Sequence, residues 1–302
     1  VRIAFFGLPL AAVLLARDGH DVAYAAACRR APGLRRLRAR IAPGHTSVRP
    51  DVGSDATFAA VKSARPDLIV SWFWTTRLPA RLLALAPSVG VHPSLLPRHR
   101  GPDPYFWTID AGDEVAGVTA HRLDVEYDTG AILGQRMLRV ESGWTSWKLA
   151  RALDRPSLAL LREVVRAYAD GRPPAPVAQD ESRATLAPEP DDKELAIRWS
   201  WPAARIERRV RAAAPAPGAW TEIGETIVVL TRVRVTADFP RVLAAGEAAV
   251  RADGTAVVRA GDDALELLEG VDEDGERVLA RADLADIVAS SKIEEKEEAG
   301  RE

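Results

Sequence analysis

Gly90-Val91-His92-Pro93-Ser94-Leu95-Leu96-Pro97-Arg98-His99-Arg100-Gly101-Pro102, followed later by Asp124-Val125-Glu126-Tyr127-Asp128-Thr129-Gly130-Ala131-Ile132-Leu133, is the stretch that decides how this chain is read. An apolar run from Pro66 to Trp74 lies shortly before it and reads as a buried strand. His92 is therefore expected beyond the carboxyl end of a sheet strand, where open α/β sheets hold their ligands. Asp128 stands just ahead of a glycine and a second apolar run. A histidine and an acid meeting at such a place pair a base with the group that orients it.

Outward from that stretch the pattern is strand, turn and helix. Val1 to Phe6 is apolar and ends at Gly7, and Pro9 to Arg17 carries Leu10, Val13 and Leu14 at helical spacing. Gly19 closes that helix and Asp21 to Ala27 reads as the second strand. A lone glycine after the first strand is no dinucleotide fingerprint, which needs three spaced glycines to admit a pyrophosphate. Asp55 to Ala64 and Leu78 to Leu85 read as helices, Asp67 to Trp74 as the strand leading to the site, and Gly117 to Leu123 with Ala131 to Val140 as a hairpin. Trp72, Phe73 and Trp74 end their strand, and aromatics there serve the core more often than a ligand. The spacing of Leu149, Leu153, Leu158, Leu161, Val164 and Val165 predicts a helix over Trp147 to Tyr168, stopped by Gly171.

Pro173, Pro174, Pro176, Pro188 and Pro190 mark a linker, and the region beyond it differs in character. Pro202 to Ala214 is a short basic helix. Trp220 to Ile223, Thr226 to Val235, Ala248 to Arg251, Thr255 to Arg259 and Ala264 to Glu269 read as five short strands. The expected division is an α/β, doubly wound domain over 1–180, a linker over 181–197, a small open β-barrel over 198–288 and a charged, disordered tail over 289–302.

The quoted stretch resembles the formyltetrahydrofolate-dependent formyltransferase family, most closely its methionyl-tRNA branch. The family carries Asn-x-His-(Pro or Gly)-Ser-Leu-Leu-Pro, an Arg-Gly pair, and an Asp-Thr-Gly or Asp-Ala-Gly. His92, Ser94, Leu95, Leu96, Pro97, Arg100, Gly101, Asp128, Thr129 and Gly130 match in order. The resemblance implies a Rossmann-like catalytic domain, 10-formyltetrahydrofolate as formyl donor, His92 and Asp128 as catalytic residues, and Ser94, Leu95, Leu96 and Pro97 as the folate contact. It also implies that the pteridine ring binds near the end of the Trp72–Trp74 strand. The family's catalytic Asn falls on Gly90, which has no side chain with which to hold an oxyanion. One such donor is worth about 10²–10³ in rate, and a water at Gly90 or the hydroxyl of Ser94 is the expected substitute. Further along, Ile197 to Trp199, Ile206 to Ala212 and Pro217 to Trp220 resemble the family's C-terminal domain, an OB-like open barrel.

Arg29 to Arg40 holds six arginines and no acid. By itself this is equally a solvated helix face or a phosphate-binding patch. The resemblance implies contact with the tRNA acceptor end through this region, with Arg35, Arg36 and Arg38 as the candidates. Three readings are open: formylation of initiator methionyl-tRNA, formylation of an amino sugar nucleotide or other small amine, and a non-catalytic folate- or RNA-binding relative. His99 and His121 lack a second ligand at metal spacing, so no metal is expected.

Bulk properties permit such an enzyme. The chain has 302 residues, is 47% hydrophobic, and carries a formal charge of −2, enough for a full core and two domains with no overall demand for a polyanion. Its one cysteine, Cys28, excludes a disulfide framework, and no apolar run approaches the roughly 18 residues of a spanning helix. A cytoplasmic monomer without a secretion signal is expected. Val1 at the start and Met137 as the one methionine point to an altered or lost initiator.

Overall fold

The computed structural model describes the backbone of residues 1–299 and the side chains of residues 1–291. In chain order the elements up to the site are β1 (Arg2–Gly7), α1 (Pro9–Arg17), β2 (Asp21–Ala27), α2 (Leu34–Arg38), β3 (Thr46–Val48), α3 (Asp55–Ser63), β4 (Leu68–Trp72), α4 (Ala80–Leu83) and β5 (Ser88–His92). Then come α5 (Pro104–Ala111), β6 (Val115–His121), β7 (Ile132–Arg139), α6 (Ser146–Ala169), a short 3₁₀ turn at Glu181–Arg183 and α7 (Asp192–Leu195). The chain clusters into two compact units. The first holds Val1–Pro104, Val115–Arg139 and Ala150–Pro188, and the second holds Tyr105–Glu114, Val140–Leu149 and Glu189–Glu302.

In the first unit a seven-stranded sheet runs β3-β2-β1-β4-β5-β6-β7. The pairs from β3 through β5 are parallel, and β5-β6-β7 are antiparallel. Strand order reverses between β1 and β4, the switch point at which doubly wound sheets open a crevice beyond the strand ends. Helices cover the parallel strands, so those strands are apolar throughout instead of alternating: β1 and β4 are buried along almost their whole length. Phe6, Tyr24, Val61, Ile69 and Leu82 share one cluster, with Phe6 and Tyr24 5.7 Å apart between ring centres. Each such side chain withdrawn from water contributes about 1.5–3 kcal/mol.

α1 and β2 have the boundaries the sequence predicts. His92 does not lie beyond the preceding strand; it is the last residue of β5, a strand whose glycine and flanking prolines give it the look of a site loop in the sequence. The predicted hairpin is β6 with β7.

The second unit continues with α8 (Ala203–Ala213), β8 (Ala219–Ile223), β9 (Thr226–Thr236), β10 (Ala248–Val250), β11 (Ala256–Arg259), β12 (Ala264–Asp272), β13 (Val278–Ala280) and α9 (Arg281–Ala299). Its sheet is antiparallel, ordered β10-β11-β12-β9-β8 with β13 on β12, and forms the curled, OB-like domain. Register shifts near Leu267–Gly270 are bulges of the kind that bend a strand and let a sheet curl. The expected five strands are present and β13 is a sixth.

Two boundaries differ from expectation. Residues 181–188 belong to the first unit, where Arg100 N–H donates to Thr185 O at 2.9 Å and Ala187 N–H to Arg100 O at 2.7 Å. Residues 189–197 belong to the second unit, where Ala196 bridges Trp220, so the proline-rich stretch pairs by backbone even though proline keeps it from folding regularly. At the other end, the charged run expected to be disordered from 289 continues α9 to Ala299, and residues 300–302 lie outside the described residues.

Candidate active site

His92 closes β5 and is 6% exposed. Its Nε2 lies 2.7 Å from His99 O, a carbonyl that can only accept, so this nitrogen carries a proton. Its Nδ1 lies 3.4 Å from Asp128 Oδ2. Both ring nitrogens thus face oxygen acceptors. On the other side of the same carboxylate, His121 Nε2 lies 3.6 Å from Asp128 Oδ1. His121 Nδ1 donates to Arg122 O at 2.8 Å. Burial pushes His121 below the ordinary histidine range, opposed by the nearby Asp128 and reinforced by His92. The first unit therefore holds a carboxylate between two imidazoles, and Asp128 is the most exposed of the three.

Asp128 is held by its backbone. Its φ is +57°, in the left-handed region that Asp and Asn tolerate better than most residues. Gly101 N–H donates to Oδ2 at 3.0 Å. Gln179 Nε2 donates to the carbonyls of Asp128 and Gly130 at 2.7 and 2.8 Å, while Arg100 grips the Gln179 amide oxygen through Nε and Nη2. Arg100 also pairs with Glu181 at 2.7 Å, which holds the Glu181 carboxyl below its usual range. Gly130 is required because a Cβ there would stand 1.9 Å from Arg122 O. The Asp-Thr-Gly triplet is thus a way of driving an aspartate into the site past a neighbouring strand.

Ser94 and Leu96 are buried, and Leu95 and Pro97 half-buried. Ser94 Oγ donates to Arg98 O at 2.6 Å, Leu96 N–H to Thr119 Oγ1 at 3.1 Å, and Gln135 to Leu96 O at 3.0 Å. These polar groups are spent on fixing the loop, Leu95 packs its side chain against Gly117 of β6, and Ser94, its one hydroxyl proton committed to Arg98 O, is out of contention as a substitute donor. Trp72 is core, bonded to Ser157 Oγ at 2.8 Å. Trp74 packs on Phe6, and its Nε1 is buried with no partner. That orphaned donor, at the switch-point end of β4, fits an acceptor on a flat heterocycle.

The space above Gly90 is bordered by the end of the Leu123 side chain and by His121. A Cβ there would lie 2.5 Å from Leu123 Cδ2 and 3.4 Å from His121 Nε2, and the φ of Gly90 is not left-handed. On α2, Leu34 and Leu37 are buried, which turns Arg35, Arg36 and Arg38 to solvent. Among the described residues these three arginines have no acidic partner within salt-bridge distance.

Matches to known proteins cover the same ground. The model described as "Formyl transferase" matches residues 39–165, and that described as "Formyl transferase, C-terminal domain" matches residues 191–285. The methionyl-tRNA formyltransferase of Anaeromyxobacter dehalogenans is 36% identical over 303 residues, covering 94% of this chain and 96% of that protein. The chain belongs to the formyl transferase family. Its relatives are enzymes, and the quoted stretch through Leu133 lies inside the matched residues 39–165. Solved structures agree on the fold. HypX from Aquifex aeolicus, in complex with tetrahydrofolic acid, has a TM-score of 0.64 at 19% identity; it covers 96% of this chain, which spans 47% of HypX. A sugar N-formyltransferase from Shewanella has a TM-score of 0.59 at 17% identity, covering 79% and 98% of the two chains.

Sequence reasoning passes over His121, weighing it only as a metal ligand. A signal is available: a glycine inside a strand marks a place where another group comes close.

Proposed function

We propose that this formyltransferase moves a formyl group from 10-formyltetrahydrofolate to the amino group of initiator methionyl-tRNA. The observation that carries the reading is the end-to-end likeness to a methionyl-tRNA formyltransferase, which continues through the second unit. The HypX complex with tetrahydrofolic acid and the orphaned Trp74 Nε1 support a folate donor. The solvent-facing arginines of α2 suit phosphate, because guanidinium forks match phosphate oxygens and release counterions on binding.

His92 and Asp128 carry the chemistry. As an amine adds to the formyl carbon, Asp128 takes the proton that the nitrogen must lose. His92, with both nitrogens against acceptors, holds a proton and delivers it to the departing folate nitrogen. The carboxylate stabilises the charged ring before delivery. Among the described residues no helix is long and apolar enough to cross a membrane.

Purified protein given 10-formyltetrahydrofolate should formylate charged initiator tRNA at a kcat/KM at least about tenfold above that for amino sugar nucleotides. Preference for a sugar nucleotide would replace the acceptor, and no transfer to either would overturn the reading.

A further inference from the structure

Gly90 and His121 face each other directly in the antiparallel pair of β5 and β6. Opposed residues on paired strands ordinarily hold their Cβ atoms about 4.5–5.5 Å apart, so side chains at the two positions meet. Here the space is taken from the β6 side. His121 Nε2 would be 3.4 Å from a Cβ on Gly90, and the ring is 3% exposed. Because the φ of Gly90 is not left-handed, the backbone does not demand glycine; a Cβ there would push aside the end of the Leu123 side chain and stand in van der Waals contact with the imidazole. With Nδ1 committed to Arg122 O, the nitrogen presented at this position is Nε2, beside Asp128.

We propose that His121 is a catalytic residue: its Nε2, protonated during the reaction, donates a hydrogen bond to the oxyanion of the tetrahedral intermediate in place of the side chain missing at Gly90. This rests on the formyl-transfer reading above. The amine lone pair closes the N–C bond while the formyl C=O π pair moves onto oxygen. The proton lost by the amine passes through Asp128 to His121 Nε2, and the imidazolium faces the new negative charge. On collapse the oxyanion pair restores C=O, the bond from carbon to the folate nitrogen breaks with its electrons, and that nitrogen receives the proton of His92. The proton on His121 then returns across Asp128 to His92, which restores the starting state with no net gain or loss. Resting His121 is neutral because burial disfavours its charge, and the oxyanion supplies the partner that favours it.

The test is a two-position exchange assayed with 10-formyltetrahydrofolate and methionyl-tRNA. His121→Ala should lower kcat about 10²–10³-fold, the worth of one oxyanion donor, with KM values within about threefold of the parent. His121→Gln, whose amide reaches the same place, should keep at least a tenth of parental kcat. Gly90→Asn alone should be slower and melt lower, because it meets His121 and Leu123. Gly90→Asn combined with His121→Ala should run at least tenfold faster than His121→Ala. An unchanged kcat in His121→Ala would overturn the proposal, as would a folded double variant no faster than His121→Ala. If the double variant does not fold, His121→Gln decides, and turnover as low as that of His121→Ala overturns the proposal. A parent that formylates none of the amines offered overturns the formyl-transfer reading and this role with it.

Discussion

Two acids in this molecule, the buried Asp110 and the half-buried Asp128, are treated in opposite ways. Asp110, in the second unit, has both carboxylate oxygens met by Arg209, at 2.6 Å from Nε and 2.9 Å from Nη2, and Phe106 and Trp201 lie beside that guanidinium. Asp128, in the first unit, faces two imidazole nitrogens at 3.4 and 3.6 Å and receives one short backbone hydrogen bond, from Gly101. A carboxylate with its bonds completed has nothing left to exchange. One set between two loosely approached bases has lone pairs to spare and a proton to share, which is what acid–base chemistry requires. The difference teaches that burial does not mark function; a carboxylate loosely shared between two imidazoles does.

The sharpest way to break the comparison is to remove the proton donor. His92→Ala should lower formyl transfer by about 10²–10⁴, the range of a lost acid–base group, with the fold retained by circular dichroism. Full turnover would return His92 to the core. The complementary change is Arg209→Met, which leaves Asp110 buried without its partner and should cost about 3–5 kcal/mol in denaturant unfolding. A loss below about 1 kcal/mol would mean that the pair is not the tie its geometry describes.

A third change leaves both clusters alone. Replacing Arg35, Arg36 and Arg38 with Ala should weaken methionyl-tRNA binding and flatten its salt dependence by up to about two units of log–log slope, with folate binding unchanged. An unaltered slope would make that helix face merely solvated.

The smallest effect lies in pH. The folded-state pKa of His121 is depressed by burial, so its contribution to stability is present above about pH 6.5, the unfolded value, and is lost as pH falls toward the folded one. The slope is at most about 1.4 kcal/mol per pH unit, and His121→Gln should remove it. An identical pH profile in that variant would show that the proton is bound elsewhere.

Much of this architecture is legible in the sequence because buried parallel strands leave unbroken apolar runs, and α1 shows its periodicity between Pro9 and Gly19. β5 is not, because Gly90 and the prolines after it resemble a loop when nothing shows that β4 and β6 flank them. β3 and β13, three residues each, are too short to carry a pattern. His92 and Asp128 can be named from a motif, since a family string needs no geometry. His121 cannot, because its meaning comes from strand register, and the residue that reveals it is the glycine across from it. Gln179, which holds Asp128 from far along the chain, gives no local signal at all.

Asp128→Asn, read twice on one preparation, tests the central distinction most directly. Asparagine accepts the left-handed backbone and keeps the shape while removing the charge and its proton exchange. The single-turnover rate of formyl transfer should fall by at least about 10², and the unfolding midpoint should hold within about 2 °C or rise, since a loosely paired, half-buried charge has been removed. A variant that kept its rate and lost stability on the scale expected for Arg209→Met would contradict the account, placing Asp128 with Asp110 as a structural acid.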